Sequence, residues 1–401
     1  MGKSVYMGVG GVAKKVKSMY IGVGGVARKV KKAWIGVGGV AKLFWAGGSP
    51  ELSTSSTFLS NYLLDVCQEA SSFTIGNYAV FYEKYDYLGD TTSMGTCTLT
   101  AYNSSLTRSQ PTSPGETDLA YRTTGNIGNY ALVAGGRYYR DYEEESPDEY
   151  YYKNVYAYNS SLTQTVTNLA NTGADMARGN IGSYLIFATG YTVYVSTMNA
   201  SLTTTSLGTV SGVGSHLGSA NSKYMIFGGG KINASGTYPS TVKTYNANLT
   251  LGSATDLTYP RYQSAVACVA DHVVYVGGQK SWACAASDYY KSVEAFNSSL
   301  TKINVGDMST VRGCILNSFV IIDDCMFIFG GVTRGSASYA LDSITKIDSN
   351  LTITTLSTTM QSKRELTAVE KVGNNILIAG GYSSAKNSGS YYKDVEYFTI
   401  S

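Results

Sequence analysis

The fold of this 401-residue chain is indicated most clearly by Val274-Tyr-Val-Gly-Gly278 and the segment that follows it, Ser292-Val-Glu-Ala-Phe-Asn-Ser-Ser-Leu-Thr301. This stretch holds an apolar run that ends in two glycines, a second run with an aromatic residue, and a polar turn. Short runs of β-branched and aromatic residues favour strands. Asn and Ser in the turn are residues that hydrogen-bond to their own backbone. The stretch therefore predicts two strands, the second of which ends in a tight turn.

The same phrases recur along the chain. The glycine-ended run returns at residues 131–136, 225–229, 327–331 and 376–381, and in a degenerate form at 185–190. The polar turn occurs six times, each time closed by a leucine: Leu106, Leu162, Leu202, Leu249, Leu300 and Leu351. Self-similarity at a period of about 50 residues is typical of a propeller built from small sheets, each of which must be covered by its neighbours.

Most repeats are preceded by an arginine. Counting the repeats divides the body into seven units. These units begin near Phe73, Arg122, Arg178, His216, Arg261, Arg312 and Arg364. Since the arginines stand at corresponding places, we expect them to have a structural role, in ion pairs or carbonyl contacts between blades. The first unit lacks the glycine pair.

The order of these features, an arginine, then a strand that ends in glycines, then a strand that leads into the polar turn, resembles the kelch repeat. In a kelch repeat an arginine precedes the first strand, and the second strand ends in Gly-Gly. The resemblance covers residues 73–401. A leucine occupies the region where kelch units usually carry a tryptophan. The resemblance implies an all-β fold: a kelch-like seven-bladed β-propeller over residues 49–401, preceded by a short glycine-rich β-repeat arm. The last unit lacks a fourth strand. We expect residues 51–58, within a 49–72 segment that links and closes the ring, to supply it.

The arm, residues 1–48, repeats one phrase three times with a period of 14 residues. It holds nine of the 31 basic residues and no acidic one, which leaves 22 basic and 28 acidic residues in the body. Three glycines in each repeat disfavour a helix, and Gly-Gly suits a two-residue hairpin turn. We therefore predict a six-strand meander that needs partners to be ordered. The predicted anchoring residues are Tyr6, Val9, Tyr20, Val23, Arg28, Lys29, Trp34 and Val37.

The arm repeats are similar in sequence to N-terminal repeats of structural proteins encoded by tailed phages and prophages. This resemblance implies a virion protein, made in the cytoplasm of a bacterial host and anchored to other virion proteins through residues 1–48. It also implies a body displayed outward on tail or capsid. Homo-oligomerisation is expected because the arm needs partners.

The connections after the glycine pairs are rich in tyrosine, which offers rigid contact area at low entropic cost. We expect them to emerge on one face and to bind a host-surface glycan or receptor. The candidate ligand-binding residues are Arg137, Tyr138, Tyr139, Tyr142, Tyr150, Tyr151, Tyr152, Trp282, Tyr289, Tyr290, Tyr391 and Tyr392. The alternative is that these tyrosines only shield the edges of the blades.

Two other functions stay open: a propeller enzyme that acts on carbohydrate, and an intracellular kelch-like scaffold whose basic arm binds nucleic acid. No enzymatic activity is expected, because catalytic sequence motifs are lacking. With two histidines and no C-x-x-C pair, no metal site and no cofactor are expected. No apolar run reaches the 18 residues that suggest a membrane-spanning helix.

Overall fold

A computed structural model of the chain describes residues 50–60, 63, 71–83, 98–114, 122–140, 148–189, 193–214, 217–231, 238–280, 288–334, 338–383 and 390–400. In the N-terminal part it describes the backbone of residues 6–9, 12–15, 19–23, 26–30, 32–37 and 40–46. The chain divides into two compact units, Met1–Glu51 and Leu52–Ser401. The described elements are β-strands, and these ranges contain no α-helix.

The second unit is a β-propeller of seven antiparallel four-stranded sheets, called blades here. The first strands of neighbouring blades contact one another around a closed ring, in which blade 7 also contacts blade 1. The predicted all-β, seven-bladed propeller is confirmed. His216, proposed as the start of the fourth unit, lies outside the described residues.

The strands of each blade, from first to fourth, have these bounds. Blade 1 has Ser71–Ile75, Tyr78–Glu83, Thr98–Asn103 and Arg108–Ser109, and blade 2 has Thr123–Ile127, Tyr130–Ala134, Asn154–Tyr158 and Gln164–Asn168. Blade 3 has Ala177–Ile181, Tyr184–Thr189, Val193–Asn199 and Thr204–Val210, and blade 4 has Gly218–Ala220, Tyr224–Gly228, Val242–Asn246 and Leu251–Ser253. Blade 5 has Ala265–Val269, His272–Val276, Ser292–Phe296 and Lys302–Asp307. Blade 6 has Phe319–Ile322, Cys325–Phe329, Ser343–Ile347 and Ile353–Thr359, and blade 7 has Ala368–Val372, Asn375–Ala379, Val395–Thr399 and Thr57–Phe58.

The ring closes by combining both ends of the propeller unit in blade 7. Thr57–Phe58 pairs antiparallel with Val395–Thr399, and a bridge joins Leu52 to Ile400. Beyond this strand the backbone N–H of Leu63 donates to the carbonyl of Lys393 at 2.8 Å. The last sheet therefore reaches four strands only with chain that precedes blade 1.

The hydrophobic core lies between the blades. Each junction has its own cluster of buried side chains drawn from two neighbouring blades. At the closing junction, Phe81 and Tyr102 of blade 1 pack with Leu377 and Val395 of blade 7. No blade buries both faces alone, so stability depends on a closed ring.

The recurring polar turn joins the third and fourth strands of the first six blades. In blade 1, the side-chain Oδ1 of Asn103 accepts hydrogen bonds from the backbone N–H groups of Ser105 (3.0 Å) and Thr107 (2.9 Å). Leu106 has a positive φ of 61°, a conformation that such local hydrogen bonds help to stabilise, and its side chain packs on the core of the closing junction. The phrase therefore both makes a turn and places an apolar anchor.

In blades 4, 5 and 6 the glycine pair connects the blade to the arginine that precedes the next blade. The backbone N–H of Gly278 donates to the carbonyl of Arg312 at 2.8 Å, and that of Gly331 to the carbonyl of Arg364 at 2.9 Å. Gly330 has a φ of 61°, and a Cβ added there would collide with the carbonyl oxygen of Arg364. Close backbone approach, together with positive φ, explains why glycine stands here.

The side chains of Arg261, Arg312 and Arg364 are buried and contact their own blade, not a neighbouring one as the sequence led us to expect. Arg312 donates to the carbonyls of Gly330 and Ser343, and Arg364 pairs with Asp394 at 2.7 Å. Because the backbone carbonyl of each arginine is bonded to the preceding blade, one residue still fastens two blades together.

In the first unit, each arm repeat forms a two-stranded antiparallel ribbon. The ribbons are Tyr6–Val9 with Val12–Lys15, Met19–Val23 with Val26–Val30, and Lys32–Val37 with Val40–Ala46. The hairpin within each repeat matches the prediction, but the six-strand meander was wrong. The described backbone forms three separate sheets, because Gly-Gly sets the pairing inside a repeat and no such turn sets pairing between repeats.

Candidate functional site: the loop face and the central channel

One face of the propeller carries the connections between second and third strands together with the connections between blades; we call it the loop face. Backbone bridges join these two kinds of connection in blades 5, 6 and 7: Tyr262 with Gln279, Gly313 with Val332, and Glu365 with Tyr382. Three two-stranded ribbons extend the face: Arg137–Arg140 with Asp148–Tyr151, Val332–Arg334 with Ser338–Ala340, and Tyr382–Ser383 with Ser390–Tyr391.

The candidate residues of blade 2 belong to the first of these ribbons. Tyr138 pairs with Tyr150 and Tyr139 with Glu149 across it. Arg137, Tyr151 and Tyr152 are half-buried at its base. Tyr142 and Trp282, which were also proposed as ligand-binding residues, lie outside the described residues. The ribbon places these positions on the loop face, and ligand binding by them stays a prediction.

Several candidate tyrosines of blades 5 and 7 pack against the protein. Tyr289 is only 6% exposed and packs with Val332 at the junction of blades 5 and 6. Tyr290 stacks on Tyr259 with ring centroids 5.2 Å apart. The ring centroids of Tyr391 and Tyr382 are 4.9 Å apart.

Two of these rings also cover the buried arginines. The guanidinium of Arg261 is 5.6 Å from the ring centre of Tyr290, and that of Arg364 is 4.5 Å from the ring centre of Tyr392. Cation–π contact of this kind stabilises a desolvated guanidinium. Tyr290 and Tyr392 therefore have a structural role, whether or not they also meet a ligand.

The arm positions proposed as anchors lie on the strands of the three ribbons. In the second ribbon the backbone of Tyr20 pairs with Lys29, that of Ile21 with Arg28, and that of Val23 with Val26. Attachment through these positions stays a prediction.

The first strands of the blades surround a central channel that sequence reasoning missed. Two cavities of about 360 and 390 Å³ occupy it. They share four lining residues, and so form consecutive parts of one space: Arg178, Asn317, Phe319 and Ile321. Asp175, Gln263 and Leu366, which precede first strands, also line the cavity of about 360 Å³, so this end of the channel opens on the loop face.

Arg178 does not take the place of the other arginines. It lies inside the first strand of blade 3, whereas Arg261, Arg312 and Arg364 precede their first strands. The sequence itself distinguishes Arg178 from the other arginines. Arg178 stands four residues before the turn glycine Gly182, whereas Arg364 stands much farther from its turn glycine, Gly373. The side chain therefore lines the channel, where burial lowers its pKa and the charge of Glu370 opposes this shift.

Glu370, on the first strand of blade 7, is the electrostatic partner of Arg178 in the channel. Its carboxylate oxygen accepts a hydrogen bond from the Thr74 hydroxyl at 2.6 Å. Burial raises its pKa; hydrogen bonds from Thr74 and Ser72 and the charge of Arg178 act in the opposite direction. Titratable groups shifted by burial and by a specific charge are typical of functional sites.

The channel wall has a polar side and an apolar side. The polar side includes Ser72, Thr74 and Arg178. On the same inner strands, the Asn180 amide donates to the carbonyl of Asn126 at 2.7 Å, and the Asn126 amide donates to the carbonyl of Thr74 at 2.8 Å. These bonds connect the inner strands of blades 3, 2 and 1. The apolar side comes from blades 5 and 6 and is lined by Val266, Ala267, Phe319 and Ile321.

Four residues near the channel mouth have left-handed backbone conformations: Asp175, Gln263, Cys314 and Leu366. The backbone N–H of Leu366 donates to the carbonyl of Cys314 at 3.1 Å, and the Cys314 thiol donates to Oε1 of Gln263 at 3.0 Å. Non-glycine residues held at positive φ cost free energy and cluster at functional sites. The mouth is thus built by strained backbone that neighbouring blades hold in place.

Glu370→Gln is expected to raise the thermal midpoint at pH 7.5 relative to the wild type. Burial raises the folded-state pKa of Glu370, so the protonated side chain contributes stability to the fold. This contribution is fully present below the ordinary glutamate pKa of about 4.3. It is lost as the pH rises through the higher folded-state value. The gain should therefore vanish near pH 4. Thermal unfolding across this pH range checks it, with the exposed Asp256→Asn as a charge control; a less stable variant at pH 7.5 would show that Arg178 outweighs burial.

Among the described residues, no group of three or more His, Cys, Asp or Glu side chains is arranged to hold a metal ion. The same part of the chain has no helix with the length and apolarity required to cross a bilayer.

Comparison with known proteins extends the fold assignment. The sequence matches no family model and no curated protein. The structure is similar to the solved structure of YjhT, with a TM-score of 0.52 and 11% sequence identity, over 87% of this chain and 99% of that chain. At this identity the similarity supports the propeller architecture alone.

Proposed function

We propose that this chain is a non-enzymatic structural protein of a bacteriophage particle. In this proposal the arm attaches the chain to other virion proteins, and the propeller presents its loop face to a glycan on the host surface. The loop face carries the proposal: ribbons on blades 2, 6 and 7 extend it, and tyrosines occupy their strands. Binding residues are often found on loops that a rigid scaffold positions.

We further propose that the blades are divergent kelch repeats. An arginine precedes the first strand and a glycine pair follows the second strand in blades 5, 6 and 7. Arg261, Arg312 and Arg364 each contact the glycine pair of their own blade. These contacts support the proposal, because they give both the arginine and the glycine pair of the repeat a structural role.

The attachment role of the arm is supported by its repetition. Three ribbons with the same pairing, such as Val9 with Val12 and Val23 with Val26, present one chemical pattern three times. Each ribbon is a two-stranded sheet, and pairing of a strand edge with another chain is a common mode of association for β-ribbons. Repeated identical surfaces suit a partner that is itself repeated, as virion proteins are.

Deletion of residues 1–48 is expected to leave a soluble propeller that no longer joins particles. Particles would be assembled with full-length or deleted chain, purified, and probed for the chain by immunoblot. As a matched control, Tyr151→Ala and Tyr152→Ala in the full-length chain should join particles normally, since they alter the loop face only. Normal incorporation of the deleted chain would refute the attachment role.

A further inference from the structure

The guanidinium of Arg178 is the feature of the channel that most requires a partner. It is half-buried and lines both channel cavities. A guanidinium has five N–H donors, yet among the described residues no oxygen accepts a hydrogen bond from Arg178. Its electrostatic partner, Glu370, already accepts from Thr74. Because Arg178 lines both cavities, its N–H groups can donate to a ligand that enters the channel.

The lining around Arg178 carries charges of both signs, which suits a ligand that both donates and accepts hydrogen bonds. Asp175 lies at the mouth and Glu370 lies deeper, while Arg122 and Lys371 add positive charge to the lining. A ligand carboxylate at Arg178 would be repelled by Glu370. A hydroxyl group both donates and accepts, and neighbouring hydroxyls could therefore accept from Arg178 and donate to Glu370 together.

The opposite wall requires an apolar surface on the same ligand. Phe319 lines both cavities, and Val266 and Ile321 lie on the same side of the channel. A pyranose ring has this dual character, with a C–H face that packs on an aromatic ring and hydroxyl groups around its edge. A cavity of about 360 Å³ also falls at the small end of the range for ligand pockets, which suits a single sugar.

We propose that the central channel binds the terminal neutral pyranose of a glycan, between Arg178 and Glu370 on one side and Phe319 on the other. The mouth opens on the loop face, so a glycan held there would insert its end into the channel. This inference rests on the proposed glycan-binding function and names the chemistry of its site.

The test uses the full-length chain and calorimetric titration with methyl glycosides of glucose, galactose, mannose and N-acetylglucosamine, and with methyl glucuronide as the anionic counterpart. At least one neutral glycoside should bind, and it should bind more tightly than the glucuronide. Arg178→Met should weaken binding about tenfold or more, because hydrogen bonds from a charged donor are lost. Phe319→Leu should also weaken it, and the exposed Arg108→Met should not.

Thermal unfolding of each variant shows whether its fold is retained. If Arg178→Met were misfolded, Arg178→Lys, which keeps the charge and loses the planar donor fork, would take its place. Undiminished sugar binding by the folded Arg178 variant, or preference for the glucuronide, would overturn the channel proposal. If channel variants still adsorb to host cells through glycans, the proposed function survives and only the channel site is refuted. If no glycoside and no cell is bound, both fail.

Discussion

Arg364→Met is expected to destabilise the propeller by about 3–5 kcal/mol, the cost of removing one partner from a buried ion pair. Arg364 and Glu396 are both fully buried, with 3.6 Å between Nη2 and Oε2, and Nη1 of Arg364 is 2.7 Å from Oδ1 of Asp394. Without the guanidinium, Glu396 is left as a buried charge without its cation. Denaturant unfolding of purified variants measures the loss.

The chain offers a matched control for this substitution. Arg312 occupies the corresponding place in blade 6, but its hydrogen bonds go to neutral groups, among them Ser343 and Thr345. Arg312→Met should therefore cost less, about 1–3 kcal/mol for lost hydrogen bonds. The double variant Arg364→Met/Glu396→Gln should recover part of the loss. A double variant no more stable than Arg364→Met would contradict the proposed cause.

Removal of residues 1–63 is expected to lower the thermal midpoint strongly and to cause aggregation, whereas removal of residues 1–50 should change the midpoint little. The longer deletion removes Thr57–Phe58, so Val395–Thr399 becomes an uncovered edge strand, which is a template for aggregation. It also removes Leu63, which is 2% exposed in the closing cluster; loss of a buried leucine side chain alone costs about 3–5 kcal/mol.

Thermal unfolding and light scattering of the two deletions measure this effect. The shorter deletion is the control, because it begins at Glu51 and keeps the whole closing strand. Equal midpoints and equal solubility for both deletions would show that blade 7 does not depend on its fourth strand.

Repeated phrases made the architecture predictable. The glycine pairs and the Asn-Ser-Ser-Leu turns recur because they meet the same backbone requirement in each blade, namely positive φ or close approach. Such requirements leave the same residues at the same places, so the number of blades and the order of strands could be read without coordinates.

The channel was not predictable in the same way, because the inner strands do not repeat. The position of Arg178 is occupied by Val266 in blade 5 and Phe319 in blade 6. Arg178 resembles the structural arginines in its place between the repeated phrases, and only its short distance to Gly182 distinguishes it from them. Its electrostatic interaction with Glu370 links blades 3 and 7, which are far apart in sequence, and only the closed ring brings them together.

In the arm, too, only the local pairing could be predicted from the sequence. Gly-Gly specifies the hairpin inside each repeat, such as Met19–Val23 with Val26–Val30. Pairing between repeats has no comparable turn to specify it, and repetition alone led to a meander that the described backbone does not form.

Recognition of a host-cell glycan by the propeller can be measured as adsorption of the labelled full-length chain to those cells before and after periodate oxidation of their surface glycans. We predict saturable adsorption that survives protease treatment of the cells and is lost after oxidation. Absence of adsorption, or adsorption that oxidation leaves unchanged, would contradict the account.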